Sequence, residues 1–160
     1  MNPQELSNAL RKEAILNGHS VLTVVSGFSM YPFFRQGDIL TIEPVSIDTV
    51  NLGDIVVYEL KDIWIAHRVI QIISKKGEAT LVLKGDTNLK NDSGVNAKNY
   101  IGIVQGIERS KKKVSLKSNN RKNWTKVILK SKKSYSALIR LFLKITFFRS
   151  NYINHLKGFK

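Results

Sequence analysis

The stretch GFSMYP at residues 27–32, with a Gly-Asp pair at residues 37–38, decides how the rest of this chain is interpreted. Ser29 stands between Gly27 and Pro32, just after an apolar run at residues 21–25 that predicts a strand. A serine at the bent end of a strand is open on one side. A nucleophile needs that exposure, a base within reach and backbone N–H donors for an oxyanion. Alternatively, the hydroxyl of a serine in a turn can simply form a hydrogen bond with the nearby backbone. Taken alone, this stretch fits both a nucleophile and such a turn residue.

Three further segments follow at intervals along the chain. They are a strand at residues 53–58 that opens with Gly-Asp, the run AHRVI at residues 66–70 and the box KGDTN at residues 84–88. The set resembles the type I signal peptidases, in particular the branch of the endoplasmic reticulum, archaea and some Gram-positive bacteria, which pairs its serine with a histidine. The resemblance covers roughly residues 20–108 and rests on four motifs in order. It implies a serine endopeptidase of signal or leader peptides.

Composition separates a near-neutral part of the chain from a basic one. The 160 residues suffice for one domain with a core and an appendage. The chain has no cysteine, and His19 and His155 have no ligand-spaced neighbours, so neither a cofactor nor a metal is expected. Net charge is −2 over residues 1–108 and +16 over residues 109–160. We therefore predict an N-terminal helical segment at 1–19, a peptidase domain at 20–108 and a basic tail at 109–160.

Sequence periodicity predicts one short helix followed by strands. Residues 2–17 start with Asn2 and Pro3, which suit a helix start, and precede Gly18, which suits a helix end. Runs rich in Val and Ile then alternate with turns containing Gly and Asp, as in short strands. These strands are expected at residues 21–25, 39–42, 55–60, 63–73, 81–83 and 100–107. The pattern indicates a mainly β fold in which antiparallel sheets form a partly barrel-like core.

His67 is the candidate base. Strand alternation puts Ile65, His67 and Val69 on one face, where a histidine is more often a buried structural residue than a catalyst. The resemblance favours the base, because the family places its histidine here, 38 residues after Ser29. A neutral imidazole can take the Ser29 proton and return it to the leaving amine. Arg68 points to the opposite face and is predicted to form a structural ion pair.

Two aspartates are candidates for the carboxylate that holds the histidine tautomer. In the family's histidine branch another Asp follows the Asp of the Gly-Asp box by six residues, and Asp86 and Asp92 have this spacing. The resemblance makes Asp92 the orienting acid and gives Asp86 a supporting role. Both could instead form Asx turns, and for Asp92 this alternative stays open. Asp38 and Asp54, which open two strands, are predicted to be structural.

The oxyanion and the substrate have fewer sequence signals. The Ser29 N–H is expected to hold the oxyanion, since Gly27 stands where some bacterial relatives carry a serine hydroxyl. Apolar residues around Met30 are expected to line a shallow groove. The resemblance implies that an extended peptide binds there as an added strand, with small side chains before the cut.

The tail bears on localisation and partners. The predicted N-terminal helix is too short and too charged to cross a bilayer, and no secretory signal is present, so a peripheral membrane or cytoplasmic protein is expected. Typical signal peptidases have one or two spans before the serine motif, and this chain departs from that pattern. Residues 134–149 mix Phe, Leu and Ile with Arg140 and Lys144, which favours an anionic membrane surface over packing on protein. Nucleic acid is disfavoured, because aromatic residues are not interleaved through the basic run.

Two other functions fit parts of the sequence. Self-cleaving repressors of the SOS type share the peptidase fold, but they use a lysine base, for which Lys75 is the nearby candidate. They also carry a DNA-binding domain that residues 1–18 are too few to form. A catalytically inactive module that binds peptide or nucleic acid would leave Ser29, His67 and Asp92 without a role. The serine endopeptidase is therefore the predicted function.

Overall fold

One α-helix precedes seven strands in the computed structural model, which describes residues 3–75 and 77–115. A 3-10 turn, Ile47–Thr49, lies between the second and third strands. The predicted helix and all six predicted strands are present, and a seventh strand follows that the sequence pattern did not predict. The elements are α1 (Pro3–Leu16), β1 (Val21–Val24), β2 (Ile39–Glu43), β3 (Ile55–Leu60), β4 (Ile63–Lys75), β5 (Glu78–Lys84), β6 (Tyr100–Arg109) and β7 (Lys112–Ser115).

The strands form one sheet in which every pair is antiparallel. Their order is β1-β2-β6-β3-β4-β5, with β7 paired to β6. Among the described strands, β1 and β5 lie at the two ends of this order and do not pair, so the sheet does not close into a barrel. The predicted mainly β, antiparallel fold with a short N-terminal helix is confirmed, but the described strands form one open sheet and not several sheets in a partly barrel-like core.

Strand β3 is buried on both faces and separates two apolar clusters. Ile55 and Val57 pack into the first cluster, which includes the loop after β1. Val56 and Tyr58 pack into the second cluster, which includes β5. Removal of these side chains from water is the main stabilising term for the sheet. The two clusters also support the candidate site, because the Ser29 loop rests on the first and His67 borders the second.

Helix α1 packs Ile15 of its last turn on the first apolar cluster, and its Lys12 forms an ion pair with Glu59 of β3. Ile15 is 8% exposed, whereas Leu6 and Leu10 are 51% and 58% exposed. The helix ends before Gly18, whose φ of +78° is a conformation that glycine adopts without steric cost. In the part of the chain that the structure describes, no helix combines the length and the apolar character needed to cross a membrane.

The sheet extends past residue 108, the predicted end of the peptidase domain. Strand β6 reaches Arg109, whose guanidinium donates to both carboxylate oxygens of Asp38, at 2.8 and 2.6 Å. Burial acts to raise the pKa of Asp38, but the bonds from Arg109 and from the Arg35 N–H lower it overall. Residues 109–115 of the predicted basic tail thus belong to the last hairpin of the sheet. The remainder of the predicted tail, including residues 134–149, lies outside the described residues.

Candidate active site

Ser29 lies in the loop after β1, at a groove in the surface. Met30 and Phe34 hold this loop to the first apolar cluster and are 3% and 1% exposed. Gly27 has a φ of +140°, which L side chains rarely adopt, so glycine suits the bend before the serine. Ser29 is half-buried and lines the groove. The packed loop therefore fixes the serine backbone while one side of the residue borders open space.

His67 lies on β4 opposite Val56 of β3 and is 5% exposed. Its Nδ1 is 2.5 Å from Oδ2 of Asp92. Because a carboxylate can only accept a hydrogen bond, Nδ1 carries the proton, and the lone pair of the neutral ring is on Nε2. Nε2 is buried and has no hydrogen-bond partner in residues 3–75 and 77–115. This nitrogen is therefore available to accept a proton from a reacting group.

The loop after β5 brings the Ser29 loop and His67 together. The N–H of Thr87 donates to the Ser29 carbonyl at 2.8 Å, and the Thr87 hydroxyl lies 3.1 Å from the carbonyls of Phe28 and Ser29. Two residues before Thr87, Gly85 lies against the imidazole: a Cβ there would be 2.9 Å from His67 Nε2. Thr87 and Gly85 stand in the KGDTN box, but sequence reasoning gave neither a role in the site.

Asp92 is held behind the imidazole by its own loop. Its N–H donates to the Leu83 carbonyl at 2.9 Å, and its side chain is 16% exposed. The contact with His67 Nδ1 has the geometry of an acid that fixes a histidine tautomer and would stabilise an imidazolium. The structure therefore brings two predicted site residues, His67 and Asp92, into direct contact.

Asp86 forms a buried ion pair with Arg68. Its two carboxylate oxygens accept from Arg68 Nε at 2.9 Å and Nη2 at 2.8 Å. Arg68 Nη1 also donates to the Gly53 carbonyl at 3.1 Å, and the guanidinium lies 4.9 Å from the centre of the Phe33 ring. Burial raises the pKa of Asp86, and Arg68 opposes that rise by favouring the charged form. The predicted ion pair of Arg68 is thus observed, with Asp86 as its partner.

Tyr58 is a neighbour of the site that sequence reasoning missed. It is 4% exposed, and its ring centre is 6.2 Å from that of His67. Burial, together with the nearby charge of Asp92, raises the pKa of Tyr58, so the hydroxyl keeps its proton.

A groove of about 220 Å³ passes Ser29, lined by β1 and its following loop and by the start of β4. β1 is an end strand of the sheet, and residues 63–67 of β4 pair with β3 only, since β5 pairs with β4 from Arg68 onward. Within the described chain, each of these segments therefore has one strand edge without a strand partner. The described lining has no charged residue and includes Val24, Ser26, Met30, Trp64, Ile65 and Ala66.

Comparison with known proteins identifies the family. A model of the family described as Peptidase S24-like matches residues 5–84, which is half of the chain and includes Ser29 and His67. The chain belongs to the Peptidase S24-like family. The matched range ends before Asp86 and Asp92.

Relatives of this S24-like chain include proteins named signal peptidase complex catalytic subunit SEC11. The protein of Scheffersomyces stipitis is 41% identical over 86 residues, covering 52% of this chain and 51% of the relative. That of Lachancea thermotolerans is 40% identical over 91 residues, covering 54% of each, and that of Neurospora crassa is 39% identical over 95 residues, covering 57% and 55%. The chain thus spans about half the length of the curated relatives it matches. The predicted resemblance to signal peptidases is confirmed.

Two other features of the S24-like domain bear on the chemistry. Lys75, the candidate base of a repressor-type enzyme, is exposed at the far end of β4, opposite Glu78. At the rise of a strand, this position is on the order of 25 Å along β4 from His67. No group of three or more metal-ligating side chains occurs in the residues that the structure describes.

Proposed function

We propose that this chain is a serine endopeptidase that cleaves signal or leader peptides after small residues. The observation that carries the proposal is the environment of His67. Its Nδ1 is hydrogen-bonded to Asp92, while its Nε2 is buried and has no hydrogen-bond partner among the described residues. The loop that borders Nε2 also binds the Ser29 carbonyl through Thr87. The names of the SEC11 relatives, catalytic subunits of a signal peptidase complex, support the substrate class.

The proposed reaction proceeds through an acyl-enzyme. The Ser29 hydroxyl attacks the peptide carbonyl while its proton passes to His67 Nε2, and Asp92 stabilises the resulting imidazolium. The Ser29 N–H holds the oxyanion of the tetrahedral intermediate. When that intermediate collapses, His67 gives the proton to the leaving amine and Ser29 keeps the acyl group as an ester. Water then attacks the ester with His67 again as base, which frees the new carboxylate and restores the serine.

The groove supports an extended peptide with small, uncharged side chains next to the cut. A peptide between β1 and the start of β4 would find two strand edges that lack a strand partner in the described chain. Backbone pairing of this kind supplies affinity without reading side chains, and pockets between the strands supply selectivity. A charged side chain would lose its hydration against a lining without charges, which disfavours it.

The test is cleavage of a panel of secretory precursors with Ala-containing sites, in the presence of anionic liposomes. We expect wild type to cut and Ser29→Ala and His67→Ala each to lose cleavage, with unchanged circular dichroism. The matched controls are Ser74→Ala and His19→Ala, which alter the same residue types at exposed positions of β4 and of the segment after α1. Mass spectrometry of the products gives the cut sites.

Two outcomes would overturn this proposal. Cleavage by Ser29→Ala at the wild-type rate would exclude Ser29 as nucleophile. Binding of precursor peptides by wild type and Ser29→Ala alike, with no product from either over the whole panel, would make the chain a peptide-binding module of the same fold.

We also propose that residues 134–149 attach the enzyme to an anionic membrane surface. The support is their sequence, in which Arg140 and Lys144 accompany Phe and Leu side chains, next to the other basic residues of the tail. Deleting residues 134–160 is expected to lower sedimentation with anionic liposomes and to leave the weak sedimentation with zwitterionic liposomes unchanged. Equal binding of the full and shortened chains to anionic liposomes would refute the attachment.

A further inference from the structure

Thr87 brackets the candidate nucleophile from the loop after β5. Its N–H donates to the Ser29 carbonyl at 2.8 Å, and its hydroxyl lies 3.1 Å from the carbonyl oxygens of both Phe28 and Ser29. These two carbonyls belong to the two peptide units that flank the Ser29 Cα. One residue, 58 positions further along the chain, therefore contacts the backbone on both sides of the serine.

Contacts to both peptide units restrict the φ and ψ angles of Ser29. A peptide unit is planar and almost always trans, so its N–H points away from its C=O. The Phe28 carbonyl and the Ser29 N–H belong to the same unit, and a carbonyl held against Thr87 therefore fixes the opposite direction for that N–H. Within the loop, the Tyr31 N–H also donates to the Phe28 carbonyl, at 3.0 Å. Thr87 adds the contact that connects the serine backbone to the loop of the candidate base.

Thr87 is itself held in place from both sides. Asp86, which precedes it, accepts two hydrogen bonds from the buried guanidinium of Arg68. The Asn88 N–H donates to the Gly85 carbonyl at 2.9 Å, which closes a turn around Thr87. Thr87 is 5% exposed, so water competes little for its hydrogen bonds. A donor on such a fixed turn can determine the orientation of the carbonyls that it contacts.

We propose that Thr87 is a positioning residue, whose hydroxyl sets the backbone of Ser29 so that the Ser29 N–H is directed at the oxyanion. The proposal rests on the proposed peptidase function for its effect on rate, but the arrangement itself can be tested without substrate. The turn of Thr87 also borders His67 Nε2 through Gly85, so it relates the serine loop to the base. A misplacement of about 1 Å in a reacting group can lower a rate by about 100-fold.

The experiment compares Thr87→Ala with Thr87→Ser in the full chain. Both variants lose the methyl group, and only Thr87→Ala loses the hydroxyl, so their difference reports the contact with the two carbonyls. We expect Thr87→Ala to lower kcat by about 10- to 100-fold, less than the loss of an oxyanion donor itself, because the N–H of residue 87 still holds the Ser29 carbonyl. KM should stay within about 2-fold of wild type, because Thr87 is not among the described residues that line the groove. Thr87→Ser should restore most of kcat.

Thr49 provides the matched control. Its hydroxyl donates to the Ser46 carbonyl at 2.8 Å in the 3-10 turn, so Thr49→Ala also removes a bond from a threonine hydroxyl to a carbonyl. Thr49→Ala should leave kcat unchanged. In substrate-free protein, the NMR resonance of the Ser29 amide should shift in Thr87→Ala and stay close to wild type in Thr87→Ser and Thr49→Ala. If Thr87→Ala does not fold, Thr87→Val removes the same hydroxyl at nearly constant volume and takes its place.

Three results would overturn the positioning role. Equal kcat in Thr87→Ala and Thr87→Ser would show that the hydroxyl has no part in it. A wild-type Ser29 amide resonance in Thr87→Ala would show that the serine backbone is set without Thr87. A rise in KM at wild-type kcat would make Thr87 a residue for substrate binding. If wild type cuts no precursor while the Ser29 resonance shifts in Thr87→Ala alone, the peptidase function fails and the positioning arrangement stands.

Discussion

The two aspartates after β5 are expected to respond in opposite ways to the same isosteric substitution. Asp92→Asn replaces the acceptor at His67 Nδ1 by a group that can present an N–H, which favours the tautomer with its proton on Nε2. That tautomer cannot accept the Ser29 proton, and a loss of about 10³- to 10⁴-fold in kcat is expected, equivalent to roughly 4 to 5.5 kcal/mol of barrier. The free energy of unfolding should change by only about 1 kcal/mol or less, since the amide keeps a hydrogen bond at this partly exposed position.

Asp86→Asn should lower stability and leave the chemistry of the folded enzyme nearly intact. Arg68 is 0% exposed and donates from Nε and Nη2 to Asp86, which is itself 2% exposed. Neutralising the acid leaves a buried guanidinium without its counter-charge, which costs about 3 to 5 kcal/mol when one partner of a buried pair is removed. The lower end of that range applies, because the amide oxygen still accepts one of the two bonds. We expect kcat of the folded protein to fall by less than about 10-fold, because both carboxylate oxygens of Asp86 bind Arg68, whereas Asp92 is the acid at His67 Nδ1.

The assay measures both quantities on the same preparations. Single-turnover cleavage of a precursor peptide gives the rate, and urea unfolding followed by circular dichroism gives the stability. Asp62→Asn is the control, because Asp62 is exposed in the β3–β4 turn and should change neither quantity. The reasoning would be refuted by the reverse pattern, with Asp86→Asn inactive at wild-type stability and Asp92→Asn active, or by equal rate losses in the two variants.

Further substitutions test the loop and the boundary of the domain. Gly85→Ala should lower kcat by at least about 10-fold, because its Cβ would lie 2.9 Å from His67 Nε2. A wild-type kcat would show that the loop moves to accept the methyl group without displacing His67. Arg109→Met should lower the free energy of unfolding at pH 7 by about 1 to 2 kcal/mol, an estimate reduced for the 35% exposure of Arg109. The pKa of Asp38 is lower in the folded than in the unfolded chain, so the ion pair stabilises the fold fully above the pKa of the unfolded chain. This stabilisation is lost as the pH falls through the pKa of the folded state. The free energies of unfolding of Arg109→Met and wild type should therefore approach each other below about pH 4. Lys98→Met, a change at an exposed site, should show no such difference, and a pH-independent cost of Arg109→Met would contradict the ion-pair argument.

Strand alternation predicted correctly that His67 and Arg68, two neighbouring basic residues of β4, would have separate surroundings. His67 and Arg68 are adjacent, so their side chains point to opposite faces of the sheet. Each receives a different acid from the loop after β5: Asp92 reaches the histidine and Asp86 the arginine. The resemblance to signal peptidases, through the six-residue spacing from Asp86 to Asp92, also assigned the histidine contact to Asp92. The catalytic roles of Ser29, His67 and Asp92 remain predictions, which the substitutions above are designed to test.

Charge composition was a poor guide to the end of the sheet. The change from mixed charge to a purely basic segment at residue 109 predicted that the domain ends and a basic tail begins there. In the structure Arg109 completes β6, and β7 is formed by a segment that includes Lys112 and Lys113. Lysines are favoured on edge strands, where they oppose pairing with other chains. A basic run next to a sheet is therefore compatible with an edge strand, and charge alone cannot distinguish such a strand from a tail outside the sheet.

One kind of turn explains why the sequence analysis missed strand β7 and the position of Tyr58 beside His67. The β3–β4 and β6–β7 hairpins each have a two-residue loop, Lys61-Asp62 and Ser110-Lys111, in which both residues have positive φ. Sequences such as Asn-Gly or Asp-Gly normally signal this turn, and neither loop contains a glycine. Without that signal, the sequence did not predict β7 or the register that puts Tyr58 beside His67. The same register is decisive for the chemistry, because a slip of one residue in β4 would turn Arg68 toward Asp92 and His67 toward Asp86. The β3–β4 turn therefore helps to determine which side chain is available to act as the base.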